Sequence, residues 1–170
     1  MASKKKASRV PPVPRGFGTV TPYLGVAGAA EAIEFYKKAF GAKEIMRNPG
    51  PDGKIMHARI RIGDSLVMVS DHYGAPEGGP AEPTATTTTT LHIYTKDVDS
   101  MWAKAVAAGA KVDMPLDDTF WGERYGQLID PFGHRWSLSM QVKMSKEEKA
   151  AKQKEAMAMM AAGEHPGRET

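Results

Sequence analysis

The chain has 170 residues, 41% of them hydrophobic and 25% charged, which is typical of one globular domain with a substantial core. It has no cysteine, which excludes a disulfide scaffold, a thiolate metal site and a cysteine nucleophile. The net charge is only +3 and no apolar run reaches about 20 residues, so neither nucleic-acid binding nor a membrane span is expected.

The N-terminal residues 1–17 combine lysines with three prolines, a composition that buries little apolar surface and predicts a disordered arm. This segment lacks the apolar stretch of a secretory signal, so a cytoplasmic location is expected. The remainder divides into a core domain at 18–142 and a C-terminal helix and tail at 143–170. Within the core we predict a first module at 18–72, a linker at 73–88 and a second module at 89–142.

The first module is predicted to contain strands at 20–26, 43–47, 55–62 and 66–70. A helix lies between the first two strands, because four apolar residues recur at helical spacing and a glycine follows: Ala29, Ile33, Tyr36 and Phe40, then Gly41. In the strand at 55–62, alternation predicts one face that packs on the helices and one polar face. The apolar face is Met56, Ala58, Ile60 and Ile62, and the polar face is His57, Arg59 and Arg61.

The second module repeats this order, with strands predicted at 90–95, 111–114, 126–129 and 135–140. Its helix carries the apolar stripe Val98, Met101, Trp102 and Val106, and the motif Gly41-Ala42-Lys43 recurs as Gly109-Ala110-Lys111. The segment 117–125 is predicted to be a connecting loop. A duplicated βαβββ unit of the α+β class follows from the pattern.

Helix formers at 144–162 predict a further helix, with Ser145 and Glu148 forming a capping box. Three methionines near its end, Met157, Met159 and Met160, suggest an apolar contact. Two alternatives stay open, docking on a partner protein or covering of the chain's own core.

The combined segments resemble the vicinal oxygen chelate superfamily of glyoxalases, bleomycin-resistance proteins and dioxygenases, and within it the PhnB-like subgroup. The segments are TPYLGV at 21–26, AIEFYKKAFGAKE at 32–44, PDGKIMHARIRIGDS at 51–65, LHIYTKDVD at 91–99 and FWGERYGQLIDPFGHRW at 120–136. The resemblance implies two tandem βαβββ modules whose mixed sheet curls around a small-molecule cavity. It also implies a homodimer.

In metal-dependent members of this superfamily, histidine, glutamine and glutamate side chains from the two modules hold a divalent ion that polarises substrate oxygens. His92 falls at a position where the family often has a metal histidine. The other positions carry Thr21, Ser137 and either Met68 or Val69, none of which is a comparable donor. No metal centre or other cofactor is therefore expected, and His92 is the one plausible ligand.

If the sheets curl as in the family, their polar faces converge on the cavity. The resulting candidates for ligand binding are Thr21, Tyr23, His57, Arg59, His92, Tyr94 and Ser137. The alternative for all of them is simple exposure to water, which is common on one face of an antiparallel sheet.

Two further candidates come from the segment 117–125. Trp121 is interpreted as a wall of the pocket or as a plug at the end of the sheet. Arg124 is interpreted as the anchor of an anionic ligand or as the ion-pair partner of Glu123 or Asp118.

The leading functional hypothesis is a small-molecule-binding protein of the resistance type without the glyoxalase metal. The alternative is a lyase, isomerase or dioxygenase in which His92 is a metal ligand or general base and His57 or Tyr94 assists.

Overall fold

The computed structural model describes residues 12–50, 52–71 and 88–162, with the side chain of residue 160 left out. The predicted linker at 73–88 and the predicted arm at 1–17 therefore lie mostly outside the described residues. The elements in chain order are β1 (Tyr23–Val26), α1 (Ala29–Phe40), β2 (Lys43–Pro49), β3 (Ile55–Ile62), β4 (Ser65–Asp71), β5 (Thr90–Tyr94), α2 (Val98–Ala107), β6 (Lys111–Asp118), β7 (Glu123–Ile129), β8 (Arg135–Gln141) and α3 (Lys146–Ala161).

The strands form two four-stranded mixed sheets with the same topology, β1-β4-β3-β2 and β5-β8-β7-β6. In each sheet the first strand of the module pairs parallel with the fourth, and the other pairings are antiparallel. The duplicated βαβββ unit and the α+β class are confirmed.

The first helix buries the predicted stripe almost completely, since Ala29, Ile33, Tyr36 and Phe40 are at most 3% exposed. The residue before this helix is Gly28, which has no side chain that could cap the first turn. Asp71, at the end of β4, instead accepts hydrogen bonds of 2.9 Å from the backbone N–H groups of Gly28 and Ala29. Its second oxygen accepts a 2.7 Å bond from Ile55 N. One buried carboxylate thus caps α1 and fixes it to two strands.

Two predicted core positions are wrong. Met56 is 54% exposed. The pairing of β2 with β3 shifts register between Asn48 and Pro49, so Ile55 turns inward instead of Met56. Val106 is 40% exposed, and Ala105 is the buried residue of α2 at that level. A smaller side chain at position 105 lets the helix approach the sheet more closely.

The two modules meet where α1 packs on α2 and where the turn before β8 reaches α1. Asp130, only 3% exposed, lies at the centre of this junction. Its carboxylate accepts hydrogen bonds from Tyr36 Oη at 2.9 Å and Trp136 Nε1 at 2.8 Å. The backbone N–H groups of Phe132 and His134 donate to its other oxygen, each at 2.9 Å. A charge buried with this many donors holds the modules in one orientation.

The predicted capping box of α3 is confirmed, because Glu148 N donates to Ser145 Oγ and Ser145 N donates to Glu148 Oε2. Lys152 attaches the helix to the second module by donating to the carbonyl of Asp118 at 3.0 Å. Met157 is 60% exposed, so it does not cover the core, and the side chain of Met160 lies outside the described residues. No helix within the described ranges is long and apolar enough to cross a bilayer.

Candidate ligand site on the second sheet

Strand pairing assembles a polar face on the second sheet, on the side away from the helices. His92 and Gln127 flank Ser137, and Tyr94 and Tyr125 flank Ser139. Each triplet crosses β5, β8 and β7 in register. With Glu123, these residues form what we call the polar face: His92, Tyr94, Glu123, Tyr125, Gln127, Ser137 and Ser139.

Three donors converge on the carboxylate of Glu123 at one end of the polar face. Tyr94 Oη donates to Oε1 at 3.0 Å, while Ser139 Oγ and Trp121 Nε1 donate to Oε2 at 2.7 and 3.2 Å. We call these four residues the Glu123 cluster. Partial burial acts to raise the pKa of Glu123, but the hydrogen bonds from Ser139, Tyr94 and Trp121 outweigh it and lower that pKa. Glu123 is therefore a carboxylate at neutral pH.

The hydrogen bond to Glu123 also raises the pKa of the Tyr94 hydroxyl, which stays a neutral donor. Tyr94 and Trp121 are nonetheless exposed by 64% and 45%, so their ring faces are open to a ligand. Two further rings continue the surface, with Trp121 to Tyr125 and His92 to Tyr94 centroid distances of 5.6 and 4.4 Å. Exposed aromatic rings held by hydrogen bonds at their polar tips are suited to packing against an organic molecule.

His92 and Ser137 form a close side-chain pair at the other end of the polar face. The distance from His92 Nδ1 to Ser137 Oγ is 2.7 Å. Ser137 is only 2% exposed, which removes it from reach of a substrate as a nucleophile. The hydroxyl instead orients the imidazole, and Nε2 is the ring nitrogen left for other partners.

Three of the predicted candidates belong to the first sheet. Tyr23 and His57 contact each other, with 3.3 Å between Tyr23 Oη and His57 Nδ1 and an edge-on ring arrangement. The Arg59 guanidinium lies 5.6 Å from the centroid of the Phe17 ring. These contacts involve strands of the first sheet, whereas the polar face lies on the second sheet.

Thr21 lies just before β1, where its hydroxyl donates to the carbonyl of Gly18 at 3.2 Å. It lines an open cleft of about 940 Å³ between the modules. His92 and Tyr94 line the opposite wall of the same cleft, along the free edge of β5. The cleft is thus the place where the structure brings candidates from both modules together.

Arg124 is turned to the helix side of the second sheet, opposite to Glu123. Its guanidinium binds Asp99 at 2.8 Å and Asp118 at 3.2 Å, and these hydrogen bonds raise its pKa. The ion pair with Asp118 was one of the two interpretations of this residue. A guanidinium held by two carboxylates has few donors left for an anionic ligand.

The predicted loop at 117–125 is wrong in its bounds: β6 runs to Asp118 and β7 begins at Glu123, so only residues 119–122 connect the strands. Four residues of the polar face were not chosen as candidates from the sequence: Glu123, Tyr125, Gln127 and Ser139. The predicted loop explains the first two, because they lie within 117–125. The period-two alternation of polar residues at 123, 125 and 127 was the available signal, since it is typical of a strand with one polar face.

The donor set at the family's metal positions does not suit a divalent ion. Across the described ranges, no three His, Asp or Glu side chains come together as a metal site. His92 directs Nδ1 to Ser137, and Glu123 does not stand at one of the family's metal positions. A stable site for such an ion needs several N or O ligands at once, and His92 alone does not supply them.

Comparison with known proteins identifies the family. The family model of the glyoxalase/bleomycin resistance protein/dioxygenase superfamily matches residues 17–138. The chain belongs to this superfamily. An uncharacterized protein of Mycobacterium tuberculosis is 46% identical over 127 residues, which cover 73% of this chain and 75% of the relative. Protein YjdN of Escherichia coli is 26% identical over 144 residues, covering 71% of this chain and 94% of YjdN.

Solved structures agree on the fold. TioX from Micromonospora sp. ML1 superposes with a TM-score of 0.58 and 26% identity, over 75% of this chain and all of TioX. The fosfomycin resistance protein FosX from Listeria monocytogenes, solved with Mn(II) and sulfate, gives a TM-score of 0.53 at 16% identity. That match covers 78% of this chain and 97% of FosX, and it concerns the scaffold alone.

Proposed function

We propose that this protein binds a small organic molecule on the polar face of the second sheet, without the metal centre of the glyoxalases. The Glu123 cluster carries this proposal. It holds two largely exposed aromatic rings, Tyr94 and Trp121, in fixed orientations by hydrogen bonds to one carboxylate. Rigid aromatic side chains lose little conformational entropy on binding, so they favour ligand contact.

A matched pair of tyrosine variants tests where the ligand binds. Tyr94 on the second sheet and Tyr23 on the first are 64% and 53% exposed. A small-molecule library is screened by thermal shift, since a ligand at 100 times its Kd stabilises the folded protein by about 2.7 kcal/mol. We expect Tyr94→Ala to abolish the shifts of the hits and Tyr23→Ala to retain them. The reverse pattern contradicts the proposal.

The absence of a metal centre is tested separately. Protein purified without chelator is analysed for divalent metals, and the expected content is below about 0.1 ion per chain, as one weak imidazole ligand gives little retention. If the protein holds stoichiometric metal and His92→Ala removes that metal, this part of the proposal is contradicted. The ligand site is then tested by the thermal shifts of Tyr94→Ala and Tyr23→Ala alone.

We further propose that two chains associate, as the family resemblance implies. Light scattering after size exclusion at micromolar concentration is expected to give twice the chain mass. A monomeric mass contradicts the proposal.

A second candidate function is proton-transfer catalysis by His92, in a lyase or isomerase. The 2.7 Å contact with Ser137 favours it, because a hydroxyl that fixes one ring nitrogen orients the other toward a substrate. This function is supported over simple binding if His92→Gln abolishes turnover and retains the ligand-induced thermal shift.

A further inference from the structure

We propose that the Glu123 cluster selects ligands that carry a cationic nitrogen, such as an ammonium or quaternary ammonium group. This inference rests on the proposed function and adds the chemical class of the ligand. Negative charge, open ring faces and the ion pairs of the nearby arginines all support it.

The first observation is a carboxylate that forms no ion pair with a lysine or arginine of the described residues. The three contacts of Glu123 come from neutral donors, the hydroxyls of Tyr94 and Ser139 and the indole of Trp121. Among the described residues, no Lys or Arg lies within ion-pair distance of Glu123. Oε1 accepts a single hydrogen bond, so it keeps an acceptor position for a ligand. A partly buried carboxylate of this kind attracts positive charge.

The second observation is the arrangement of aromatic rings around that carboxylate. Tyr94 and Trp121 direct their O–H and N–H groups to Glu123, and both rings remain exposed. Tyr125 lies beside Trp121 with an edge-on centroid distance of 5.6 Å. The faces of such rings carry partial negative charge, and several rings near one anion are the recognised way to hold an alkylammonium group.

The third observation concerns the nearby cations: two arginines are held by ion pairs, and Lys149 forms none with Glu123. Arg124 follows Glu123 directly but lies on the helix side of the sheet, bound to Asp99 and Asp118. Lys149 of α3 lies against the backbone of Gly122, on the turn that precedes Glu123. Arg135, at the far end of the polar face, is paired with Asp113 at 3.2 Å. The two arginines thus have few donors left for an anionic ligand.

The test uses three soluble probes of nearly equal shape: choline, its neutral isostere 3,3-dimethylbutan-1-ol, and the anion 3,3-dimethylbutanoate. Binding to the full chain is followed at 0.15 M salt by the NMR signal of the Trp121 indole N–H, assigned from Trp121→Phe. We expect choline to bind at least about tenfold more tightly than the alcohol, and the anion to leave the signal unchanged.

Two charge-removing variants isolate the role of the carboxylate. Glu123→Gln is expected to weaken choline binding by about tenfold while it leaves the affinity for the alcohol within about twofold. Asp99→Asn removes the same charge on the helix side, and salt screening is expected to keep choline binding within about twofold of the parent. Weakening of choline binding by Glu123→Gln beyond that of Asp99→Asn supports the inference.

Equal affinity for choline and the alcohol, a lack of choline binding, or equal losses in the two variants overturns the inference. These outcomes leave the proposed function standing where the library hits still shift the Trp121 signal. If the library hits also leave the Trp121 signal unchanged, the proposed location of the binding site on the polar face is wrong.

Discussion

The buried contact between Tyr36 and Asp130 is expected to be a main determinant of how the two modules are held together. Tyr36 belongs to α1 and Asp130 to the turn before β8, so their 2.9 Å hydrogen bond joins the first module to the second. Tyr36→Phe removes this bond without opening a cavity, because the ring keeps its neighbours Phe40 and Trp136. A hydrogen bond to a charged group contributes about 1.5–3 kcal/mol, and we expect a loss of about 2 kcal/mol.

Asp130→Asn is expected to cost more, about 3–5 kcal/mol. The carboxylate accepts from two side chains and two backbone N–H groups. An amide of the same size has one acceptor oxygen, and its NH₂ group faces donors such as the indole N–H of Trp136. Trp136 is 2% exposed, so water cannot replace the lost acceptor.

Urea unfolding followed by circular dichroism measures both losses, and Tyr94→Phe is the matched control. The Tyr94 hydroxyl also donates to a carboxylate, but its residue is 64% exposed, so the urea midpoint is expected to stay within experimental error. The double variant Tyr36→Phe/Asp130→Asn is expected to lose at least about 1 kcal/mol less than the sum of the single changes. Additive losses, or a Tyr36→Phe cost below about 0.5 kcal/mol, would refute the reasoning.

The acid side of the stability profile follows from the same residue. Burial acts to raise the pKa of Asp130, but hydrogen bonds from His134 and Trp136 outweigh it and hold that pKa below the unfolded value of 3.8. Its contribution to stability is therefore complete above the unfolded pKa and is lost as the pH falls through the lower folded pKa. We expect that in Asp130→Asn the urea midpoint depends less on pH than in the parent protein below about pH 4.

Three further changes test the local structure. Asp71→Ala removes three buried acceptor contacts and the cap of α1, and we expect a loss of about 2–4 kcal/mol by urea unfolding; a loss below 1 kcal/mol contradicts the capping role. Gly126→Ala would place its Cβ 2.6 Å from the Trp102 ring and 2.9 Å from a backbone atom of Leu116, so we expect about 1–3 kcal/mol of destabilisation with a perturbed Trp102 signal. Ser145→Ala removes one half of an exposed capping box, and a fall in the helical circular dichroism signal without a change in the urea midpoint is expected.

The architecture was predictable because both modules repeat the same local rules. Apolar residues at helical spacing and the glycine that ends α1 identified the first helix, and Gly41 does take a left-handed conformation with φ of 66°. The register shift that exposes Met56 was not predictable, because alternation within one strand carries no information about a bulge in its pairing. Val106 shows the same limit on a helix, where two adjacent residues fit the apolar stripe and packing decides between them.

The candidate site was predictable in part. His92, Tyr94 and Ser137 were found because alternation on β5 and β8 separates polar from apolar residues, and the structure places all three on one face. Arg124 and Glu123 are adjacent in sequence. Arg124 was selected from the sequence, because a guanidinium is suited to binding an anion, and Glu123 was not selected. Once the segment is a strand, these two residues must point to opposite sides of the sheet.

That single change of secondary structure alters the expected chemistry of the ligand. With a loop at 117–125, Arg124 was free to bind an anion; with β7 beginning at Glu123, the arginine is held by Asp99 and Asp118 on the helix side. The carboxylate takes its place on the polar face, among neutral donors and open aromatic rings. The preference for a cation over an anion thus depends on which side of one strand each of two neighbouring residues occupies, and the paired variants Glu123→Gln and Asp99→Asn measure that difference directly.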